Sequence, residues 1–154
     1  MLNRNVLHGA ANSNVVWVRG AHMAGFREKR ILCIVRPGDR TDSSKPGGNA
    51  IGAPIALRFI KRTGDPLTGR TPEFYDDDGT TVILTECFAK KIGELTAQDL
   101  SGASPDYATP GLVAIHLALV YDTPRLFDED VVTVTRLRYI DRVASDEEWA
   151  QMVR

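Results

Sequence analysis

The sequence predicts an α+β fold, in which about five to six mostly antiparallel strands form a small β-barrel and two to three helices pack at its side. Short runs of β-branched and aromatic residues are separated by stretches rich in Gly, Pro and Asp, which is typical of antiparallel strands. The helix-start signals come late in the chain and do not alternate with the strands. Strands this apolar are best buried in a curved or closed sheet without exposed edges. The 154 residues fit one domain, residues 1–154.

Five segments are predicted to be strands, because branched and aromatic residues dominate them. They are residues 15–18, 30–35, 55–60, 80–88 and 131–140. In the third segment the alternation is regular, since Ile55, Leu57 and Phe59 point to one side while Ala56 and Arg58 point to the other. We therefore expect residues 55, 57 and 59 in the core.

Three helix starts carry hydroxyl or proline signals. Thr96 and Asp99 have the spacing of a capping box, and Ser145 opens a second such box before a terminal helix. Thr109 is followed by Pro110, which suits the first position of a helix. The residues after Pro110 are apolar nearly all round, so we expect this helix to be well buried.

The sequence contains no predicted membrane or export segment. No apolar run approaches the ~20 residues that cross a bilayer, and the N-terminus lacks the apolar core of a signal peptide. Cys33 and Cys87 lie inside strand-like runs and are interpreted as buried thiols, with a disulfide between them as the alternative. We expect a cytoplasmic protein without a membrane partner.

The two halves of the chain differ in charge, although the net charge is only −1. Residues 1–72 contain 12 Lys and Arg against 4 Asp and Glu, whereas residues 73–154 contain 7 against 16. If the N-terminal cations share one face, they form a patch that attracts phosphates. The alternative is that the two halves pack together and neutralise each other.

A polar loop after the second predicted strand is the candidate anion site. In the stretch CIVRPGDRTDSSKPGG, Arg36, Arg40 and Lys45 supply positive charge, and Thr41 and Ser43 supply hydroxyl donors. The glycines at 47 and 48 allow the backbone to approach a ligand closely. The order of residues does not match a Walker phosphate loop. The alternative is an exposed connection built of turn-forming residues.

Further cations and aromatic residues extend this hypothesis to nucleic acid. Arg58 and Lys61 lie near the end of the third predicted strand and, with the loop, would follow a phosphate backbone with salt-dependent affinity. Base stacking needs exposed aromatic rings. Tyr107 is the stacking candidate, because its Ser-Pro-Asp-Tyr context predicts exposure, whereas Trp17 between valines is more typical of a core.

Other reactive side chains have simpler interpretations. Asp76-Asp77-Asp78-Gly79 predicts a hairpin turn, because adjacent carboxylates in an extended segment point to opposite sides. His8, His22 and His116 share no metal-ligand spacing, and we interpret His116 as a core histidine. We predict no metal and no cofactor. No residue is assigned as catalytic, so whether the protein is an enzyme stays open.

The segment Lys91-Ile-Gly-Glu-Leu-Thr-Ala-Gln-Asp-Leu100 resembles a landmark of the ASCH-domain family, part of the PUA-like superfamily, in which a strand runs into such a Thr-x-x-Asp helix start. The strand end Ile34-Val35-Arg36, the strand entry Ile51-Gly-Ala-Pro-Ile55 and the last predicted strand are similar in order. The resemblance covers about residues 26–140. It implies a PUA-like barrel with its site in a cleft between barrel and helices.

The catalytic residues of the family are not matched. Some members are amidohydrolases acting on acylated cytidine through a Lys, a Thr and a Glu, and the matching positions here hold Ile31, Ile34 and Ala103. The arginine of the family signature has Arg36 as its counterpart. This departure argues against the amidohydrolase chemistry.

These observations lead to one expected function and two alternatives. We expect the domain to bind RNA or a nucleotide-like ligand in a basic cleft beside residues 36–48. The first alternative is a hydrolase of the same fold that acts on a modified nucleoside or on RNA. The second is a protein-interaction module whose acidic half, including Asp128-Glu129-Asp130 and the Ser145 helix start, meets a basic partner.

Overall fold

Six strands form an open sheet in the computed structural model, which describes residues 15–45, 48, 50–52, 54–76 and 80–140. The strands are β1 (Val15–Arg19), β2 (Cys33–Pro37), β3 (Pro54–Arg62), β4 (Glu73–Phe74), β5 (Thr81–Lys91) and β6 (Val131–Tyr139). The described part also contains two α-helices, α1 (Met23–Arg27) and α2 (Pro110–Val120), and the 3₁₀ turns Gly20–His22, Ile92–Glu94 and Pro105–Tyr107. The predicted α+β class is confirmed.

The strand order across the sheet is β1-β3-β5-β6-β2. The short strand β4 is not part of this order and pairs only with β3. β1 and β3 are parallel, with Val16 opposite Leu57, and the other pairs are antiparallel. β1 and β2 are therefore the edges, and within the described residues they do not pair with each other. The described sheet is thus open. At the β2 edge, Ala103 forms an isolated bridge with Cys33.

Two groups of buried side chains hold the elements together, and each fully buried apolar side chain contributes about 1.5–3 kcal/mol. The first group is Val16, Val18, Phe26, Ile31, Ile55, Leu57, Phe59, Val82, Leu84 and Leu137. The second, which joins β2 and β6 to α2, is Cys33, Val35, Ile92, Leu95, Leu100, Tyr107, Val113, Leu117, Val132 and Val134. The alternation predicted for β3 is confirmed, with Arg58 exposed. Ala56 is buried as well, because β3 lies between β1 and β5.

Helix α2 begins where the sequence predicts, but it is less buried than expected. Thr109 precedes it, and its side chain accepts a hydrogen bond from the Leu112 amide at 3.2 Å. Val113 and Leu117 are buried, whereas Leu119 is 71% exposed. The prediction of a well-buried helix is therefore wrong. The residues of this helix are apolar on nearly all sides. That pattern does not reveal that only one side of the helix packs against the sheet.

The capping box at Thr96 forms, but no helix follows it. The Thr96 amide donates to the Asp99 carboxylate at 2.9 Å, and the Asp99 amide donates to Thr96 Oγ1 at 3.1 Å. The chain beyond makes only a turn. The Arg136 guanidinium donates to the carbonyls of Gln98, Asp99 and Ser101. The predicted helix is therefore wrong, and a turn whose carbonyl groups bind Arg136 of β6 forms in its place.

The second strand spans Cys33–Pro37 and so begins later than the predicted 30–35. The preceding residues turn after α1, where Lys29 has a positive φ of 60°. Residues 77–79 of the predicted hairpin turn and the predicted terminal helix from Ser145 lie outside the described residues.

The cysteine prediction is supported in part: neither thiol forms a disulfide, but only Cys33 is buried as expected. Cys33 is buried, and burial raises the pKa of its thiol to about 11. Cys87 is half-buried, and its sulfur accepts a hydrogen bond from Thr135 Oγ1 at 3.7 Å. None of the described helices has the length and apolar character needed to span a membrane.

Candidate functional site

A cleft of about 450 Å³, partly open to solvent, lies between the two edge strands of the sheet. Residues 17–19 of β1 and residues 33–36 of β2 line it. The other lining residues are His22, Phe26, Ile31, Ser104, Tyr107, Val120 and Tyr121. This volume includes space at the mouth of the cleft that is open to solvent.

Arg36 places a buried guanidinium group in this cleft. Its side chain lies near the end of β2, opposite Thr133 of β6, and the residue is 5% exposed. Among the residues that the structure describes, none forms an ion pair or hydrogen bond with this guanidinium. Burial lowers the pKa of Arg36, and the nearby Tyr121 and Cys87 oppose that effect only in part. A buried cation without a counter-ion is costly, and an anionic ligand would offset that cost.

A cluster around Asp106 forms another part of the cleft wall. His22 Nε2 lies 2.9 Å from the Asp106 carboxylate, and Arg19 donates to the same carboxylate at 2.9 Å. The Ser104 hydroxyl donates to it as well. Burial alone would raise the pKa of Asp106, but the hydrogen bonds from Ser104 and His22 and the charges of His22 and Arg19 outweigh it, so this pKa lies below its usual value. The ionised carboxylate holds His22 and Arg19 in position.

Aromatic rings supply much of the remaining surface of the cleft. Tyr107 was expected to be exposed but is 6% exposed, and its ring meets those of His22 and His116 edge-on, with centroids 5.6 and 6.2 Å away. Burial raises the pKa of Tyr107 to about 12, so its hydroxyl stays neutral. Trp17, expected in the core, is half-buried and lines the cleft. Tyr107 and Trp17 thus face the same space as Arg36.

Arg40 lies behind the cleft wall and does not line it. It is 3% exposed, and its guanidinium lies over the ring of Tyr121, 5.7 Å from the centroid. Its Nε donates to the Pro37 carbonyl at 2.9 Å, and its backbone amide donates to Thr133 Oγ1 at 2.8 Å. Arg40 therefore supports Tyr121, a cleft residue, from behind.

The polar loop uses its hydrogen-bonding groups internally. The amide and hydroxyl of Thr41 both donate to Asp39, and those of Ser44 donate to Asp42. These hydrogen bonds, with the charge of Lys45, lower the pKa values of Asp39 and Asp42. Thr41, Ser43 and Lys45 do not line the cleft. The described part of the loop is thus built from two side-chain turns beside the site.

Arg58 and Lys61 lie on another part of the surface, formed by β3 and β4. The Arg58 guanidinium lies 3.7 Å from the ring centroid of Phe74, and the Lys61 ammonium lies 5.7 Å from that of Tyr75. Neither cation lines the cleft. The predicted site residues are therefore divided: Arg36 and Tyr107 share the cleft, and Arg58 and Lys61 share a second surface.

Sequence reasoning did not select Arg19, His22, Ser104 or Asp106. His22 and Asp106 are 84 positions apart, and no spacing rule connects them. The topology brings them together, because the segment after β1 and the turn Pro105–Tyr107 meet at the same end of the cleft. The Ser-x-Asp pattern at 104–106 was the one local signal, since a Ser hydroxyl readily bonds to a carboxylate two residues away.

The cluster around Asp106 has too few ligand groups for a metal centre. Throughout the described ranges, no group of three or more His, Cys, Asp or Glu side chains is placed to hold a metal ion. The cleft therefore offers hydrogen bonds, one buried positive charge and aromatic surface as its means of holding a ligand.

Comparison with known proteins adds no relative to this picture. No protein-family model matches the chain, and no curated protein or solved structure matches it either. The functional conclusion therefore depends on the geometry of the cleft.

Proposed function

We propose that the cleft between β1 and β2 binds a nucleotide-like anion, either free or as part of RNA. Arg36 carries this proposal, because its guanidinium is buried in the cleft without a carboxylate partner among the described residues. A guanidinium offers a planar fork of donors that matches the oxygens of a phosphate group. The expected contact is bidentate and charge-assisted.

The other lining residues suit the base and sugar of such a ligand. Trp17, Tyr107 and Tyr121 provide flat apolar surface for a planar base. Ser104 and His22 place polar groups at the same wall. A nucleotide combines an anionic group with a planar ring, and the cleft combines a buried cation with aromatic rings.

We also propose that the chain is related to the ASCH-domain family. In this proposal it forms a PUA-like barrel in which β1 and β2 face each other across the cleft. Arg36, the counterpart of the signature arginine, lines the cleft. Ile31 and Ile34, at two of the family's catalytic positions, line it too. Their apolar side chains favour binding over the amide hydrolysis of some family members.

Calorimetric titration of the protein with nucleoside 5′-monophosphates and with short single- and double-stranded RNA tests the proposal. We expect AMP or another monophosphate to bind at about 50 mM salt and more weakly at about 200 mM, because phosphate contacts are salt-sensitive. Adenosine, which lacks the phosphate, is the matched ligand and is expected to bind roughly tenfold or more weakly. If none of the monophosphates or RNAs binds, or if adenosine binds as well as AMP, the proposal is wrong.

A hydrolase acting in the same cleft is the second candidate, and the pair of His22 and Asp106 favours it. The Asp106 carboxylate binds Nε2 of the His22 ring, so Nδ1 remains available for proton transfer. The His22 side chain is 12% exposed. In such a reaction His22 takes a proton from water while the water oxygen bonds to the substrate carbon or phosphorus. His22 then returns the proton to the leaving group as the bond to that group breaks. Ser104 donates to Asp106, so it does not act as the hydroxyl of a Ser-His-Asp triad.

Incubation of the protein with acylated cytidine and with RNA tests this second candidate. We expect the variant His22→Gln to lower turnover by about 100-fold or more, because general acid–base catalysis contributes about 10²–10⁴-fold. His116→Gln, on α2, is the matched control. Absence of turnover in the unmodified protein, or full turnover in His22→Gln, rules out this mechanism.

The protein-interaction alternative gains no support from the described acidic residues. Glu129 pairs with Lys91 at 2.9 Å, and the Asp130 carboxylate accepts a hydrogen bond from the Phe127 amide at 2.6 Å. These charges are engaged within the chain. The helix start at Ser145 lies outside the described residues.

A further inference from the structure

We propose that the cleft selects a phosphodiester, which carries one negative charge, over the phosphate monoester of a free 5′-mononucleotide. This inference rests on the proposed function of the cleft and narrows its ligand class. The phosphodiester is either an internal linkage of an RNA strand or the ring phosphate of a 3′,5′-cyclic nucleotide. A phosphate monoester differs from both, because it carries a charge of about −1.5 to −2 near neutral pH.

The described wall of the cleft has one positive charge that no described carboxylate pairs with. Arg19, His22 and Arg36 are the basic residues among its described members, which include no acidic residue. Arg19 donates to the Asp106 carboxylate at 2.9 Å, and His22 Nε2 lies 2.9 Å from the same group. Arg36 therefore remains for the ligand, and a single negative charge balances it.

A second negative charge on the ligand would be costly in these surroundings. Apart from its basic residues, the described wall is largely aliphatic and aromatic, with Phe26, Ile31 and Val120 among its members. An ion that enters such surroundings loses its solvation by water, and a charge nearby must offset that loss. Arg40 lies behind the Tyr121 ring and does not line the cleft. The cleft thus favours the singly charged anion.

The hydrogen-bonding geometry of Arg36 leads to the same choice. A guanidinium fork donates in parallel to two oxygens. A phosphodiester has two oxygens that are not esterified, so one fork serves both. A phosphate monoester has three, and the third needs a donor of its own when it is buried. The Ser104 hydroxyl and Arg19 Nη1 already donate to Asp106, so the third oxygen would compete with that carboxylate for them.

Calorimetric titration with AMP and with its phosphate methyl ester tests the inference, because these ligands differ by one methyl group and one ionisation. At about pH 5 both are mainly single anions, since the second pKa of the monoester is about 6, and their affinities should agree within about fivefold. At about pH 8 the ester should bind about 10–100-fold more tightly than AMP. The upper value corresponds to protonating AMP about two pH units above that pKa.

Proton uptake is the second readout. AMP that binds as a single anion at about pH 8 takes up about one proton, so its apparent enthalpy should depend on the ionisation enthalpy of the buffer more than that of the ester does. Protein groups that titrate nearby act on both ligands, and the ratio of the two affinities therefore isolates the charge of the phosphate. These groups are His22, which faces Arg19, Asp106 and Tyr107, and the residues near Arg36, namely Tyr121 and Cys87.

A variant with a second cation in the wall should lose the selectivity. Ile34 lines the cleft and lies two residues before Arg36 on β2, so both side chains point to the same side of the strand. In Ile34→Arg, AMP and its methyl ester should bind within about fivefold of each other at about pH 8. Leu67→Arg is the matched control, because Leu67 is 95% exposed and does not line the cleft, and it should keep the selectivity.

Cyclic AMP and the dinucleoside monophosphate ApA distinguish the two sources of a phosphodiester at about pH 8. The one that binds at least about tenfold more tightly than AMP identifies the source. An affinity ratio of ester to AMP that is the same at both pH values, or AMP that binds at least as tightly as every diester at about pH 8, overturns the inference while the cleft proposal stands. Failure of AMP and of all the diesters to bind overturns the cleft proposal itself.

Discussion

Replacing Arg36 with methionine is expected to lower the affinity for AMP by about 10–100-fold and to raise the free energy of unfolding by about 1–3 kcal/mol. The first effect follows because the charge-assisted hydrogen bonds to phosphate are lost. The second follows because folding no longer has to bury a cation that no described carboxylate compensates. Methionine fills a similar length of the site with apolar atoms.

Urea denaturation and calorimetric titration of the same preparations measure both effects. Arg138→Met is the matched control, since Arg138 is an exposed arginine on β6 that does not line the cleft. Its stability should change by no more than about 0.5 kcal/mol and its AMP affinity should not change. A less stable Arg36→Met protein would show that the guanidinium has a structural role, and unchanged AMP affinity would place the ligand elsewhere.

A gain in stability together with a loss of binding would identify Arg36 as a residue kept for its ligand. Buried side chains are usually explained by packing, and their truncation lowers stability. Arg36 differs from Arg136, which is also partly buried but donates to three backbone carbonyls. Arg136 contributes to the fold through these bonds, whereas Arg36 has no ion-pair or hydrogen-bond partner for its guanidinium among the described residues.

The sequence predicts those parts of the fold that depend on local pattern. Alternation in β3 identifies Ile55, Leu57 and Phe59 as core residues, and the Thr109 cap marks the start of α2. The capping box at Thr96 is also correct as a set of hydrogen bonds. A turn follows instead of a helix, and its carbonyl groups bind Arg136 of β6, a contact that local pattern does not reveal.

The candidate site is only partly predictable for the same reason. Arg36 is identified by its position at a strand end, but its burial follows from the way β2 becomes an edge beside the cleft. The sequence predicts Thr41 as a ligand-binding residue, but its spacing from Asp39 is equally typical of a side-chain turn. That turn is what forms. The contact between His22 and Asp106 depends on the complete topology.

Truncation of Phe26 to alanine is expected to lower the free energy of unfolding by about 3–5 kcal/mol. Phe26 is 2% exposed, is the one buried residue of α1, and packs against Phe59 with ring centroids 5.8 Å apart. A helix of five residues has little stability of its own, so this side chain fixes the segment to the sheet. The same segment carries His22, and Phe26 itself lines the cleft.

The loss should therefore reach the site as well, and AMP affinity is expected to fall by roughly tenfold, even where most molecules remain folded. Urea denaturation gives the stability, and titration below the transition gives the affinity. Phe127→Ala is the control, because Phe127 is 61% exposed and its removal should cost no more than about 0.5 kcal/mol. A loss below about 1 kcal/mol in Phe26→Ala would mean that α1 is held by other contacts. A large loss of stability with unchanged AMP affinity would mean that Arg36 and the aromatic rings bind the ligand without help from the segment that α1 anchors.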